Sequence, residues 1–421
     1  MEKLIFHIDV NSAFLSWEAI YRLEHQSGTV DLREIPSAVG GDKEKRSGII
    51  LAKSTPAKKF GIQTGETIGD ALKKCPELTI VPSHYNLYDQ CSAEFFDILY
   101  RFAPVVEKYS VDEAYCDMTG TEGLYGSPVV AANLIKDTIY NELGFTVNVG
   151  ISNNKLLAKM GGDFSKPNKV HTLFPDEIQR KMWPLPVSEL FFVGRATTKK
   201  LFNLGIMTIG DLAKADLKLL RTHLKSHGEV IYLFANGIDP SRVIGTPPAP
   251  KGYGNSGTIP YDINKAEEAK LRLLAIAENV CTRLRMDEVK ISVVAVSIVF
   301  YDFTHISHQT TLFSATNVTT EIYKAACQLF DDMWDKRTPI RQLGIHTSKA
   351  ADDDGIFQYN LFNLDNLEKQ INLDKAVDEI RDRYGNDSIM RACFLNTQIY
   401  HMTGGVGREK LSVNYDEVNV L

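Results

Sequence analysis

Apolar and polar positions in this chain alternate between two rhythms. Residues 3–10 run almost unbroken apolar and end at Asp9, the pattern of a buried strand. Apolar positions then recur with helical spacing through Phe14-Leu15-Ser16-Trp17-Glu18-Ala19-Ile20-Tyr21. Gly48-Ile49-Ile50-Leu51-Ala52-Lys53-Ser54 reads as a second strand, and Pro56 to Lys59 as a helical turn stopped by Gly61. The pattern predicts a helix over 87–102 and strand material over Val105–Met118, interrupted by Asp112 and Glu113. A helix over 128–142 and the strand Thr146–Ile151 follow. Strands alternating with helices predict an α/β or α+β unit over about 1–172.

Residues 173–240 hold short helices with Gly breaks and no clear strand. Gly245-Thr246-Pro247-Pro248-Ala249-Pro250-Lys251-Gly252 has linker composition and marks the expected domain boundary. Beyond it the pattern predicts a strand, a helix (264–287), strands (290–301 and 307–314), a helix (318–334) and a strand (341–348). That is a small α+β module. The acidic run Asp352-Asp353-Asp354 opens a tail with one expected helix near 374–384.

Composition narrows this picture. A chain of 421 residues suggests about three domains, at roughly 150 residues each. With 44% hydrophobic and 24% charged residues it has the material for packed cores. No run reaches the ~18 apolar residues of a membrane span. The short apolar start meets an acid at Asp9, unlike a signal peptide, so a cytoplasmic location is expected. The six cysteines form no CxxC pair and no Cys/His cluster, which argues against a zinc site or a disulfide framework. Net charge is −6, and residues 350–421 alone hold 13 Asp+Glu against 7 Lys+Arg. The remainder therefore holds 40 of each sign, because 53 − 13 and 47 − 7 both give 40. A neutral body can still carry a basic face for phosphate, since only the local field matters.

Asp9 ends one apolar strand, and Asp112-Glu113 interrupt another. Ionised carboxylates beside apolar strands are costly unless paired or bound to metal. Two-metal phosphoryl transfer needs such a grouping, with two divalent ions about 3.5–4 Å apart. The alternative is that these are turn residues or salt-bridge partners. Adjacent residues of a flat strand also face opposite ways, so one site can use both only where the strand ends, bulges or twists.

Longer motifs carry a resemblance. Ile8-Asp9-Val10-Asn11-Ser12-Ala13-Phe14 resembles the first metal-binding motif of the Y-family (DinB/UmuC-like) translesion DNA polymerases. Tyr109-Ser110-Val111-Asp112-Glu113-Ala114-Tyr115-Cys116-Asp117 resembles that family's second carboxylate motif. Gly150-Ile151-Ser152-Asn153-Asn154-Lys155-Leu156-Leu157-Ala158-Lys159, continued by Lys166-Pro167-Asn168, resembles its third. The resemblance implies an α+β multidomain right-hand polymerase. Its palm would span 1–15 and 82–172, fingers 16–81 and a helical thumb 173–241. A linker (242–252), a βαββαβ-like little finger (253–349) and a tail (350–421) would complete it.

It further implies template-directed DNA synthesis of low fidelity on damaged templates, with two Mg²⁺ ions. Asp9 and Asp112 would bind both ions, Glu113 the primer-side ion, and the Val10 carbonyl would add an oxygen. Asp117 would support its strand instead. The incoming nucleotide would lie over Asn11, Ser12, Ala13 and Phe14, with Phe14 excluding a 2′-hydroxyl by steric clash. Lys166 and Lys58 would offset triphosphate charge. Many members carry Tyr and Arg where Thr55 and Lys58 stand, and Lys lacks Arg's bidentate fork. Ile49 and Leu51 would roof the nascent base pair.

Leu190 to Ile206 resembles a helix-hairpin-helix, in which Gly194, Arg195, Thr197 and Lys199 would grip a DNA phosphate. Lys290 and Arg341 are candidate phosphate contacts of the little finger. Gln358, Leu361 and Phe362 in Gln358-Tyr359-Asn360-Leu361-Phe362 resemble the pentapeptide that docks bacterial polymerases on the sliding clamp. The implied partners are primer–template DNA, dNTPs, the clamp and, as in UmuC-like members, accessory subunits. Two other readings remain open at this point: a non-catalytic DNA- and clamp-binding scaffold with this fold, and a two-metal nuclease.

Overall fold

The computed structural model describes residues 3–26, 30–41, 48–246, 249–352, 364–397 and 399–402. Strand β1 (Ile5–Val10) is buried along its whole length, as its apolar run demands. It is the middle strand of a five-stranded sheet, between β6 (Glu113–Asp117) and β7 (Val147–Ser152), both antiparallel to it. The outer strands are β5 (Val105–Lys108) and β8 (Val170–Thr172); the β7–β8 pair is parallel. Phe6, Ile8 and Val10 face a core built with the helices Ala13–His25, Tyr85–Phe102 and Pro128–Leu143. The two-residue period of a strand turns His7 and Asp9 to the opposite face.

That second face is covered by the helix Lys155–Gly162, and Gly150 explains how closely. A Cβ on Gly150 would stand 1.8 Å from the Ala158 carbonyl oxygen and 2.4 Å from the Gly162 nitrogen. Only a residue without a side chain lets this helix settle on the strand.

The expected strand over 105–118 is instead a hairpin. β5 pairs with β6 from Val105↔Asp117 to Lys108↔Ala114, and residues 109–112 make the turn. In that turn the Ser110 hydroxyl donates to Asp112 Oδ1 at 2.6 Å. Such local side-chain bonds favour turns over ladders.

Residues 31–82 form a separate small layer. β2 (Ser37–Gly40), β3 (Ile50–Lys53) and β4 (Thr79–Pro82) make a sheet in the order β3-β2-β4. Helices Thr55–Lys59 and Ile68–Lys74 share its core with Ala38, Ile50, Ile62 and Leu78. β2, β4 and the helix Ile68–Lys74 had no counterpart in the apolar pattern; the two strands are four residues each, too short to display a period. A third core gathers apolar residues from Leu173 to Ala235 with Leu156, Leu157 and Met160.

The last sheet comprises β9 (Gly254–Ile263), β10 (Val289–Phe300), β11 (His305–Thr316) and β12 (Ile340–Asp352), in the order β11-β10-β12-β9, all antiparallel. Helices Ala266–Met286 and Thr319–Met333 pack on one face around Val294, Val296, Ile298 and Phe330. The other face presents Ser307 and Gln309, Ala295 and Ser297, Gly344 and His346, and Ser256 in register. Lys290 cannot be a surface contact for phosphate: it is 2% exposed. Arg341 stays at the surface, its guanidinium 4.6 Å from the Phe303 ring centre.

Residues 364–397 and 399–402 of the expected tail form a docked cap. Its helix runs Leu364–Tyr384, longer than predicted, and lies against the helix Ala266–Met286. Arg285 reaches Asp374 at 3.2 Å and Asp378 at 2.5 Å, and Arg381 reaches Glu278 at 3.1 Å. Asp374 also accepts from the Thr319 N–H at 2.9 Å, capping a helix whose own N-cap, Val318, has no side-chain oxygen. Phe394 and Ile399 close over Ala275. Among the described residues no helix is long and apolar enough to cross a membrane.

Candidate active site

Strand pairing brings the carboxylates together across a hundred positions of sequence. Asp9 stands directly opposite Glu113 in the β1–β6 ladder, and the Val10 N–H donates to the Asp112 carbonyl at 3.0 Å. Directly opposed Cα atoms lie about 4.5–5.5 Å apart. β6 begins at Glu113, so Asp112 sits in the turn and is released from strand alternation. A strand that begins at Glu113 meets the condition under which one site can use both residues.

Each carboxylate has one oxygen engaged. Asp9 Oδ2 is bonded by the Lys166 ammonium, which also reaches Asp163 at 2.9 Å. Asp112 Oδ1 accepts from Ser110. Glu113 Oε2 accepts from Lys159 at 2.6 Å and lies 3.4 Å from His7 Nε2. Among the described residues no hydrogen bond reaches the second oxygen of any of the three.

Burial raises the pKa of Asp9; Lys166 opposes this, and the Glu113 charge adds to it. Burial also works against ionised Glu113, but the hydrogen bonds from His7 and Lys159 and their charges prevail and hold it at about 2. Burial works against the Lys166 ammonium, and Asp9 and then Asp163 outweigh it, raising its pKa.

A cleft of about 920 Å³ opens beside them. It is lined by Asp9, Val10, Asn11, Ser12, Ala13, Phe14, Thr55, Lys58, Asp112 and Lys166, together with Leu51. Glu113 and Ile49 are outside that lining. Phe14 stacks on Tyr88 with ring centres 4.5 Å apart and planes 9° apart, so its ring is a backed wall. Asn11 is committed within the protein: its amide donates to Asn148 Oδ1 at 3.1 Å, and its carbonyl oxygen accepts from the Asn168 N–H at 2.9 Å. Asn148 in turn donates to the Ser165 carbonyl at 2.6 Å. These two amides hold the loop that carries Lys166 over Asp9.

The sequence reading missed several residues here. His7 was available, since it lies two positions before Asp9 on the same strand face. Lys53 lines the cleft beside Lys58; burial and the Lys58 charge lower its pKa, a sign of a local positive field. It too follows from period two, on the same face of β3 as Leu51. Arg33 lines the cleft but is spent on Asp31 and the Gly144 carbonyl, and nothing in its sequence neighbourhood marks it. Asp117 accepts from the Thr119 N–H at 3.0 Å at the far end of β6, opposite Ile5.

Gly194, Arg195, Thr197 and Lys199 stand apart from the cleft. Gly194 is the exposed N-cap of the helix Arg195–Asn203; Arg195 and Lys199 are exposed, and Thr197 is half-buried. Gln358, Leu361 and Phe362 lie outside the described residues.

Opposed carboxylates at a sheet end, a cleft into which Lys53, Lys58 and Lys166 look, and a separate sheet with a polar face are therefore present. Comparison with known proteins decides what it belongs to. The profile of the impB/mucB/samB family matches residues 8–163, and that of its C-terminal domain matches 250–361. An IMS family HHH motif matches 175–206. "DNA polymerase IV" of Clostridium acetobutylicum is 43% identical over 399 residues, covering 94% of this chain and 100% of the relative.

The chain belongs to the Y-family DNA polymerases.

"DNA polymerase IV 2" of Bacillus subtilis is 36% identical, covering 94% of this chain and 95% of the relative. A solved Y-family DNA polymerase chimera superposes with a TM-score of 0.72 at 22% identity, over 83% of this chain and 100% of that one. The fold is thus that of an α+β multidomain polymerase. The protein is a DNA-directed DNA polymerase of the low-fidelity translesion class, dependent on divalent metal and acting on primer–template DNA with dNTPs. The scaffold and nuclease readings fall away.

Proposed function

We propose that Asp9, Asp112 and Glu113, with the Val10 carbonyl, hold two Mg²⁺ ions, and that the cleft seats the incoming dNTP. The observation that carries this is the half-used state of the carboxylates: three of them converge, and each keeps one oxygen without a hydrogen bond. The donors are all oxygen, the set that hard cations take. Among the described residues no three His, Cys, Asp or Glu side chains already form a chelating group, so side chains must move to close one. Divalent ions bound there supply charge stabilisation at the attacking and leaving oxygens.

The protein's own residues do the rest. Lys58 and Lys166, with Lys53 beside them, offset the triphosphate charge. Lys166 bridges Asp9 and Asp163, so a triphosphate entering the cleft competes for that ammonium. The Asn11–Phe14 segment and Thr55 form the floor and side of the nucleotide site. Phe14, backed by Tyr88, is the sugar gate: a wall that cannot retreat clashes with a 2′-hydroxyl. Phe14→Ala should raise ribonucleotide incorporation by roughly tenfold or more, the scale of a clash of about 1–3 kcal/mol. Unchanged sugar selectivity would remove this role.

Gly194, Arg195, Thr197 and Lys199 present a helix N-terminus and two exposed cations to a DNA phosphate. Gln358, Leu361 and Phe362 are the proposed docking residues for the bacterial sliding clamp. The decisive experiment is primer extension with dNTPs and Mg²⁺ by the wild type and by Asp112→Ala. Extension lost in the variant supports the assigned carboxylates; extension retained rejects them.

A further inference from the structure

We infer that Lys159 and His7 are positioning residues that fix the Glu113 carboxylate, an inference resting on the reading of Glu113 as a metal ligand. Both groups address the same oxygen. Lys159 Nζ donates to Glu113 Oε2 at 2.6 Å, His7 Nε2 lies 3.4 Å from it, and Lys159 Nζ lies 3.4 Å from His7 Nε2. With Oε2 held from two sides, the Glu113 side chain has one orientation and Oε1 one direction.

The clamp itself is held. Lys159 rides on the helix that Gly150 allows to settle against β7. Its ammonium lies 5.3 Å from the Tyr109 ring centre and 5.6 Å from that of Phe191, so aromatic faces confine it on two further sides. His7 is 1% exposed, and its Nδ1 has no hydrogen-bond partner among the described residues. The proton belongs on Nε2, where it is donated to Glu113; the other tautomer would bury an unmet N–H at Nδ1. His7 thus serves Glu113 through Nε2 alone.

Groups that orient a ligating carboxylate typically change metal affinity or activity by about 10–100-fold when removed. Lys159 is not among the residues lining the cleft, whereas Lys58 and Lys166 are, so its loss should act on turnover and metal more than on nucleotide affinity. Lys159→Met should lower kcat by about 10–100-fold and leave KM for dNTP nearly unchanged. Binding of Mn²⁺ to the enzyme on a 3′-dideoxy primer–template, read by electron paramagnetic resonance of free Mn²⁺, should weaken by about tenfold or more. Lys159→Arg, which keeps a cationic donor, should recover part of both. His7→Leu should shift both readouts in the same direction by less, and His7→Gln, which restores an N–H, should recover.

Unaltered or tighter Mn²⁺ binding by a folded Lys159→Met enzyme would overturn the inference, because charge removal would then outweigh lost orientation. A raised dNTP KM at constant kcat would overturn it too. Glu113→Gln separates this from the underlying reading. If Glu113→Gln keeps extension and Mn²⁺ binding, the site assignment fails. If it loses both while Lys159→Met and His7→Leu keep both, only the positioning role fails.

Discussion

Two buried ionic clusters in this protein are built from the same residue types and finished differently. At the sheet end, Asp9, Asp112 and Glu113 each have one oxygen hydrogen-bonded, and the cations are the single ammonium groups of Lys166 and Lys159. Under the C-terminal helix, Asp378 accepts on both oxygens from Arg285, and Thr282 adds a third bond. Glu278 accepts from Arg391 on one oxygen and from Arg381 on the other. Arginine's rigid fork saturates a carboxylate, whereas lysine's point charge touches one atom and can let go. Saturation makes a joint; half-saturation leaves valence for a visitor. Both places hold partly or fully buried ion pairs, so the presence of ion pairs alone does not tell a structural joint from the proposed metal site. Counting hydrogen-bonded oxygens separates Asp9, Asp112 and Glu113 from Asp378 and Glu278, whose two oxygens are both engaged.

The largest effect should come from the half-used cluster. Asp112→Asn should reduce primer extension on the order of a thousandfold while leaving the melting temperature almost unchanged. A stability loss without a catalytic one would break the comparison outright. Next is the saturated cluster. Arg285→Ala leaves Asp374 and Asp378 without their fork, and breaking a buried pair costs about 3–5 kcal/mol. Hydrogen exchange in the helix Leu364–Tyr384 should therefore speed up on the order of a hundredfold or more, with kcat on bound primer unaffected. Arg285→Lys sharpens the point with a smaller change, about tenfold in the same exchange rates, because one ammonium replaces a three-nitrogen contact. The smallest is global: DNA binding should weaken steadily with added salt, as phosphate contacts require, and salt-insensitive binding would contradict the proposed grip.

How much of this was readable from sequence differs between the two clusters for a physical reason. The carboxylates proposed to hold the metal ions end or interrupt apolar strands, so pattern and motif both mark them. What pattern could not supply was the turn at 109–112 that frees Asp112, because Ser110 and Asp112 act through side-chain bonds that carry no periodicity. The C-terminal helix inverts the usual signal. Its inward face centres on Asp374, Asp378 and Arg381, while Leu373, Ile380 and Tyr384 point outward at 54%, 37% and 68% exposure. A reading that seeks apolar stripes finds the wrong side and trims the helix to its last turns. Lys290 shows the converse: a lysine in strand material suggests a surface charge, and here the strand buries it.

The Asp374 cap on Thr319 has a practical consequence for dissecting the chain. Residues 353–363 lie in sequence between strand β12 and a helix that packs on the helices covering the β9–β12 sheet. Truncating before them would strip a helix end of its acceptor and strand Arg285 without counterions. Excising 358–362 would shorten the eleven residues between strand and helix to six, mixing a change of chain length with any loss of partner binding. Alanine replacements at Leu361 and Phe362, which alter chemistry but not chain length, are the clean way to question that segment.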